Sequence, residues 1–189
     1  SKGHTLDMSC DGTRPVERPR GVLGREYERA RRVKPELIFR YRVRARMVHE
    51  ALREWLDPGM ALDVLELGCA DGRMLREIDR LRPGCRFTGL EYSPELLAAA
   101  DGMPPNIRLL QGDAAHPPAA IGSDAFDAVA AMAVLEHLES PSAAVAGAKR
   151  ALRRGGVLVA SCPVRAWSKA AARLGLLNEE DHTRELTMA

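Results

Sequence analysis

The sequence predicts an α/β protein built on a Rossmann-like, doubly wound parallel sheet with helices on both faces. Strand-like and helix-like patterns alternate between residues 62 and 161. The first apolar run ends in a glycine-bounded turn at residues 68–72, and a helical pattern follows that turn. Strands separated by helices pair in parallel through right-handed crossovers, so a single sheet accounts for this part of the chain.

Composition narrows the class of protein. The 189 residues suffice for one domain with a sizeable core, and 46% hydrophobic with 29% charged residues is typical of a soluble globular protein. No run of about 18 apolar residues occurs, so no membrane span is predicted. The four cysteines are scattered, without a C-x-x-C pair or clustered histidines. We therefore expect reduced thiols, no metal site and a cytoplasmic location.

Charge is distributed unevenly along the chain. Residues 14–53 carry 13 Lys/Arg against 5 Asp/Glu, a net +8, whereas residues 54–189 carry 14 against 19, a net −5. We expect a flexible arm at residues 1–24 and a basic helical cap at residues 25–57, with the main helix of the cap beginning at Pro35. Its predicted buried face comprises Leu37, Ile38, Tyr41, Ala45, Val48, Leu52, Trp55 and Leu56.

The body of the fold is expected at residues 58–165. Its strands are predicted at residues 62–67, 86–91, 106–110, 126–132 and 157–161. Helices are predicted at residues 72–81 and 142–152, and a further one begins at Pro94 with Ser93 as its N-cap. Residues 166–189 are expected to be helical or irregular.

Residues 66–72 are suited to hold a small polar ligand over the carboxyl end of the sheet. Gly68 and Gly72 allow backbone torsions and close approaches that other residues do not. Glu66, at the end of the strand, can accept hydrogen bonds from an amine or a hydroxyl. The N–H groups at the start of the next helix can donate to a carboxylate.

Residues 66–72 also resemble the acid-x-Gly-x-Gly-x-Gly loop of the class I S-adenosylmethionine-dependent methyltransferases, especially the group acting on small metabolites, quinones, lipids and sugars. In that family the loop wraps the methionine part of the cofactor. Ala70 replaces the middle glycine, which is compatible with the loop if position 70 has ordinary torsions. The resemblance implies S-adenosylmethionine as cofactor and S-adenosylhomocysteine as product.

Further motifs follow in the family's order. The resemblance implies that Glu91 binds both ribose hydroxyls, that Tyr92 lies against the adenine face, and that Asp113 receives the adenine amine. Residues 126–137 resemble the fourth strand and the loop that walls the reactive centre, and residues 152–158 resemble the turn into the fifth strand. The implied cofactor-binding residues are Tyr27, Glu66, Gly68, Cys69, Ala70, Gly72, Glu91, Tyr92, Gly112, Asp113, Ala114 and Ala131.

A dinucleotide site is the main alternative for the glycine loop taken alone. Glu91 lies 23 residues after Gly68, a spacing that either cofactor permits. The loop reads G-x-x-x-G rather than G-x-G-x-x-G, and the chain lacks a second nucleotide-binding half, so the ordered motifs favour S-adenosylmethionine.

Methyl transfer from a sulfonium is an in-line displacement that needs alignment and water exclusion but no covalent nucleophile or metal. Where a proton must be removed, His137 is the candidate base, because the loop after the fourth strand places it near the transferred methyl. A surface histidine at a helix start is the simpler interpretation. Glu136 and His182 are assigned to the acceptor pocket, with a solvated tail as the alternative for His182. The resemblance also implies that Tyr27 and Arg31 belong to a lid over the cofactor, with a solvated helix face as the alternative.

The expected acceptor is a small molecule, sugar or lipid-like compound, methylated on oxygen or carbon. Nucleic acid is disfavoured, because aromatics are only 4% of residues and do not interleave with the arginines. An RNA or protein methyltransferase and a non-catalytic interaction or regulatory subunit remain as alternatives. The family's two C-terminal antiparallel strands are not recognisable after Ser161. We therefore expect that the chain is truncated, that the domain is a reduced one, or that a second copy or a partner completes the sheet edge.

Overall fold

A computed structural model describes residues 29–30 and 32–162. Its sheet contains β1 (Asp63–Leu67), β2 (Arg86–Glu91), β3 (Ile107–Gln111), β4 (Phe126–Met132) and β5 (Leu152–Ser161). The helices are α1 (Pro35–Trp55), α2 (Arg73–Leu81), α3 (Pro94–Ala98) and α4 (Pro141–Ala151), with short 3-10 turns at Ala119–Ile121 and Leu135–His137. All strand pairs are parallel, in the order β3-β2-β1-β4-β5. The predicted Rossmann-like sheet is confirmed.

Helices cover both faces of the sheet because neighbouring strand residues point to opposite sides. Val64 joins a core formed with Val48 of α1 and Ile78 of α2. Leu65 joins a second core that contains Ala144 and Ala148 of α4. The strands are therefore apolar on both sides, as expected for a parallel sheet between two helical layers.

The buried face of α1 agrees largely with the predicted one. Tyr41, Ala45, Val48 and Leu52 are buried. Trp55 is the exception, since it is 68% exposed, and the prediction for it is wrong. Trp55 is the last residue of α1, and it is Leu52 and the half-buried Leu56 that contact the core on either side of it.

Local signals placed most element ends correctly. Ser93 caps α3, with its Oγ accepting from the backbone N–H of Leu96 at 3.3 Å. The main difference is β5, which begins at Leu152 rather than Val157. Leu152 pairs with Phe126 and Val157 with Ala128, so the pairing is irregular between these points.

Several expectations lie outside the described residues. These are the arm at residues 1–24, the segment 166–189 and the question of further strands after Ser161. Within the described part of the chain, no helix combines the length and apolar character needed to cross a bilayer.

Candidate functional site

A cavity of about 460 Å³ opens at the carboxyl ends of the strands, where β1, β2, β3 and β4 meet their loops. The predicted residues that line it are Glu66, Gly68, Cys69, Ala70, Glu91, Tyr92, Gly112, Asp113, Ala114 and His137. Loops that follow four different strands thus converge on one space. That is the position at which open α/β sheets bind ligands.

The loop after β1 folds over the end of β2. The backbone N–H groups of Gly68 and Cys69 both donate to the carbonyl of Leu90, at 2.8 and 3.1 Å. Gly68 has a φ of +72°, and a Cβ at this position would lie 2.6 Å from Cγ2 of Val134. Only glycine therefore fits here, between the cavity and the loop that follows β4.

Ala70 has an unusual backbone conformation. Its φ is +51°, in the left-handed region. We expected ordinary torsions for an alanine at this position, and that expectation is wrong. The backbone N–H of Ala70 donates to Oε2 of Glu91 at 2.8 Å. The alanine therefore takes a conformation that glycine adopts without strain.

Glu91 is held by the backbone at the base of the cavity. It is buried at the end of β2. Its Oε2 accepts from the N–H of Ala70, and its Oε1 accepts from the N–H of Ser93, both at 2.8 Å. Each carboxylate oxygen has two acceptor positions, so one position on each oxygen remains for adjacent donors of a ligand.

The floor of the cavity is acidic. Burial, followed by the charges of Glu66 and Glu91, raises the pKa of the Cys69 thiol well above its ordinary value. Cys69 is therefore a neutral thiol at physiological pH and is not poised as a nucleophile. The same negative potential favours a ligand that carries positive charge.

Asp113 lies in the turn after β3, on the cavity rim. Its Oδ1 accepts from the backbone N–H of Ala115 at 2.8 Å, and its Oδ2 lies 3.0 Å from Nδ1 of His116. The backbone N–H of Gly112 donates to the carbonyl of Glu91 at 2.9 Å. This bond keeps the turn of Asp113 beside the end of β2.

The 3-10 turn Leu135–His137 brings His137 to the cavity and turns Glu136 away from it. The side chain of Glu136 is fully buried, and burial raises its carboxyl pKa, although the charge of Arg44 opposes this effect. Glu136 therefore lies behind the cavity wall. The structure does not place it among the lining residues, contrary to the acceptor-pocket prediction.

Two further predicted residues do not line the cavity. Gly72 caps α2 with a φ of +72°, and Met103 packs against it. Ala131 points into the core shared with α4, because side chains alternate along β4 and its neighbour Met132 faces the cavity. Tyr27, Arg31 and His182 lie outside the described residues.

Sequence reasoning missed a wall of the cavity. Tyr41 and Arg44 of α1 line it, although Tyr41 was assigned only to the buried face of the cap helix and Arg44 was given no role in the site. Their three-residue spacing puts both on one side of the helix, but the sequence does not show that this side meets the sheet end. His116, Leu138 and Ser140 were also missed as lining residues, whereas Met132 and Val134 belong to the stretch 126–137 that was predicted to contain a wall of the reactive centre.

Comparison with known proteins identifies one family and several relatives. The profile of a family described as a methyltransferase domain matches residues 65–160. The chain is 32% identical over 101 residues to a ubiquinone biosynthesis O-methyltransferase from Xanthomonas oryzae pv. oryzae, and the match covers 52% of this chain and 41% of that protein.

Solved structures share the fold. CalS10, an amino pentose methyltransferase from Micromonospora echinaspora solved with SAM bound, has a TM-score of 0.58 and 30% identity, covering 74% of this chain and 56% of that one. KedS8, a sugar N-methyltransferase from Streptoalloteichus, has a TM-score of 0.59 and 25% identity, covering 84% and 59%. The chain thus spans about half the length of these relatives.

Proposed function

Because the chain belongs to the methyltransferase domain family, we propose that it forms the cofactor-binding part of an S-adenosylmethionine-dependent methyltransferase with a small-molecule acceptor. The family match over residues 65–160 confirms the resemblance drawn from the sequence motifs. The observation that carries the proposal is the carboxylate of Glu91, buried beneath the cavity with each oxygen held by one backbone N–H.

The residues present fit S-adenosylmethionine. Glu91 offers two oxygens to two adjacent ribose hydroxyls, and Asp113 offers an acceptor to the adenine amine. Glu66, at the end of β1, offers a carboxylate to the cationic amino group of the cofactor's methionine part. Gly68 leaves room for a ligand close to the backbone. The acidic floor around Cys69 matches the positive charge of a sulfonium.

When bound, S-adenosylmethionine supplies a methyl group already activated on a sulfonium. The chain then has to orient the acceptor and exclude water. Tyr41, Val134 and Leu138 are assigned to the wall that excludes water, since all three line the cavity. His137 is assigned to accept the proton of an acceptor hydroxyl at an imidazole nitrogen.

The relatives support the choice of acceptor class. A ubiquinone biosynthesis O-methyltransferase and two methyltransferases of sugars, one of them an N-methyltransferase, are among the similar proteins. They support a small acceptor, and the O-methyltransferase supports oxygen as the preferred acceptor atom. The residues that choose the acceptor include Arg44 and Ser140, at the side of the cavity formed by α1 and the β4 loop.

The assembly and the compartment complete the proposal. β5 is the outer strand of the described sheet, so we assign its open edge to a second copy or a partner chain. Light scattering of the purified chain tests this assignment, and a strictly monomeric chain that binds no partner would contradict it.

Cys69, Cys85 and Cys162 are free thiols, in keeping with a reducing cytoplasm.

Binding of S-adenosylhomocysteine tests the cofactor site. The ligand should raise the midpoint of thermal unfolding, and Glu91→Gln should weaken its calorimetric Kd about 10- to 100-fold, because a hydrogen bond to a charged acceptor is lost. Glu95→Gln is the matched control, since Glu95 does not line the cavity. If S-adenosylhomocysteine neither raises the unfolding midpoint nor binds in the calorimeter, the chain would instead be a non-catalytic interaction subunit.

A further inference from the structure

A histidine on the cavity rim contacts the acid assigned to the adenine. We propose that His116 is a positioning residue that fixes the Asp113 carboxylate toward the exocyclic amine of the cofactor's adenine. This inference rests on the proposed function, since it presumes that Asp113 meets adenine. The motifs identified in the sequence gave His116 no role.

Both carboxylate oxygens of Asp113 form hydrogen bonds within the turn that carries this residue. Oδ1 accepts from the N–H of Ala115 at 2.8 Å, and Oδ2 lies 3.0 Å from Nδ1 of His116. The backbone closes the same turn, with the N–H of His116 donating to the carbonyl of Asp113 at 3.2 Å. An ionised carboxylate only accepts, so Nδ1 must carry the hydrogen in this contact.

The backbone of the turn is constrained independently of His116. A Cβ at Gly112 would lie 2.8 Å from Leu90 and 2.9 Å from Pro118, so the chain is tightly packed at this point. His116 precedes Pro117, which restricts the torsions of His116. Removing the imidazole should therefore leave the turn in place and release mainly the side chain of Asp113.

Asp113 needs such a restraint because it is only partly buried. Its side chain is 40% exposed, so it can rotate into solvent when one oxygen is released. Held by Ala115 and His116, each oxygen keeps a further acceptor position for a donor in the cavity. A fixed carboxylate favours a 6-amino purine, which donates, over a 6-oxo purine, which presents a second acceptor.

The side chain of His116 is itself 78% exposed. Its substitution therefore removes little buried surface, and the variant is expected to fold. This separates the positioning role from a structural one. Asn at position 116 can place its amide N–H near the site of Nδ1 and so restore the contact with Asp113.

Calorimetric titration with two ligands tests the inference: S-adenosylhomocysteine, which has the 6-amino group, and S-inosylhomocysteine, which has a 6-oxo group. His116→Ala should weaken the first ligand about two- to tenfold, the range expected when one side chain must be immobilised on binding, and leave the second unchanged. His116→Asn should recover most of the affinity and of the selectivity.

A double-mutant cycle completes the test. In the Asp113→Asn background, His116→Ala should have no further effect, because the carboxylate on which it acts is gone. Equal affinity and selectivity of His116→Ala and wild type would overturn the positioning role while leaving the proposed function intact. Failure of the wild type to bind S-adenosylhomocysteine would overturn both.

Discussion

Ala70 shows how a single residue can keep a conformation that its side chain disfavours. It has a positive φ, and its backbone N–H donates to Glu91, which also accepts from the N–H of Ser93. The left-handed conformation costs an L-residue with a Cβ about 1–2 kcal/mol. The hydrogen bond to a buried carboxylate offsets this cost, so the strain is localised where the cavity needs a rigid acid.

Ala70→Gly should stabilise the chain by about 0.5 kcal/mol. Glycine relieves the strain at a positive φ, although the added freedom of the unfolded chain cancels part of the gain. Urea unfolding measures the change. Ala61→Gly is the control, because Ala61 precedes β1 in a loop without a positive φ and should lose about 0.5 kcal/mol. Equal losses in both variants would contradict the strain at Ala70.

At the residue scale, the sequence predicts the site where chemistry and chain position coincide. Glu66, Glu91 and Asp113 are acids at or just after the ends of three strands, and all three line the cavity. Arg44 and His116 were missed, because their roles depend on how α1 and the β3 turn pack against the sheet. Spacing along the chain does not encode such contacts between distant segments.

Between elements, the loops after β1 and β4 depend on each other. Gly68 approaches Val134 so closely that any side chain at position 68 would overlap it. The carbonyl of Leu90 fixes the position of Gly68 from the opposite side. The loop after β1 therefore cannot shift away from the loop after β4 without losing hydrogen bonds at the end of β2.

Gly68→Ala should destabilise the chain by about 2–4 kcal/mol, from the positive φ and from overpacking against Val134. Adding Val134→Ala should recover the overpacking part, about 1–2 kcal/mol, and leave the torsional part. Chemical denaturation of the single and double variants measures the coupling. Gly59→Ala is the control, since its Cβ would meet only Asp57, at 3.5 Å, and a purely additive cycle would refute the clash.

Elements were predictable to different degrees. The bounds of β2 and β4 agree with the predicted ranges, because a short, largely apolar run marks each strand. The start of β5 was not predicted, since Gly155 and Gly156 read as a turn, whereas residues 152–156 join the strand through an irregular register. Register depends on both of the paired strands, so the residue pattern of one strand does not determine it.

At the scale of the whole molecule, ion pairs link the strands at the end of the sheet that lies opposite the cavity. Asp63 at the start of β1 accepts from Arg86 of β2 at 2.7 and 2.9 Å, and from Arg153 of β5 at 2.9 Å. Arg153 also pairs with Asp127 of β4 at 2.7 Å. Four strands are thereby linked at the end remote from the cavity, so stability and binding occupy separate ends of one sheet.

The ion pairs of Asp63 and Arg153 should make the free energy of unfolding depend on pH. The hydrogen bond from Arg86, followed by that from Arg153, lowers the pKa of Asp63 despite its partial burial. A carboxyl with a lowered folded pKa stabilises the fold above its unfolded pKa. That contribution disappears as the pH falls through the folded value, below about pH 4.

Arg153→Ala should therefore cost about 1 kcal/mol at pH 7, an amount reduced by the 40% exposure of its side chain, because Asp63 and Asp127 each lose a charged partner. Arg86→Ala should cost less, since Arg86 is more exposed and, among the described residues, forms its salt bridge with Asp63 alone. Urea unfolding of both variants from pH 7 to pH 3.5 measures the differences, which should narrow toward the acid end as Asp63 is protonated. A larger loss for Arg86→Ala, or a gap that widens in acid, would show that the link across β1, β4 and β5 is not what joins this end of the sheet.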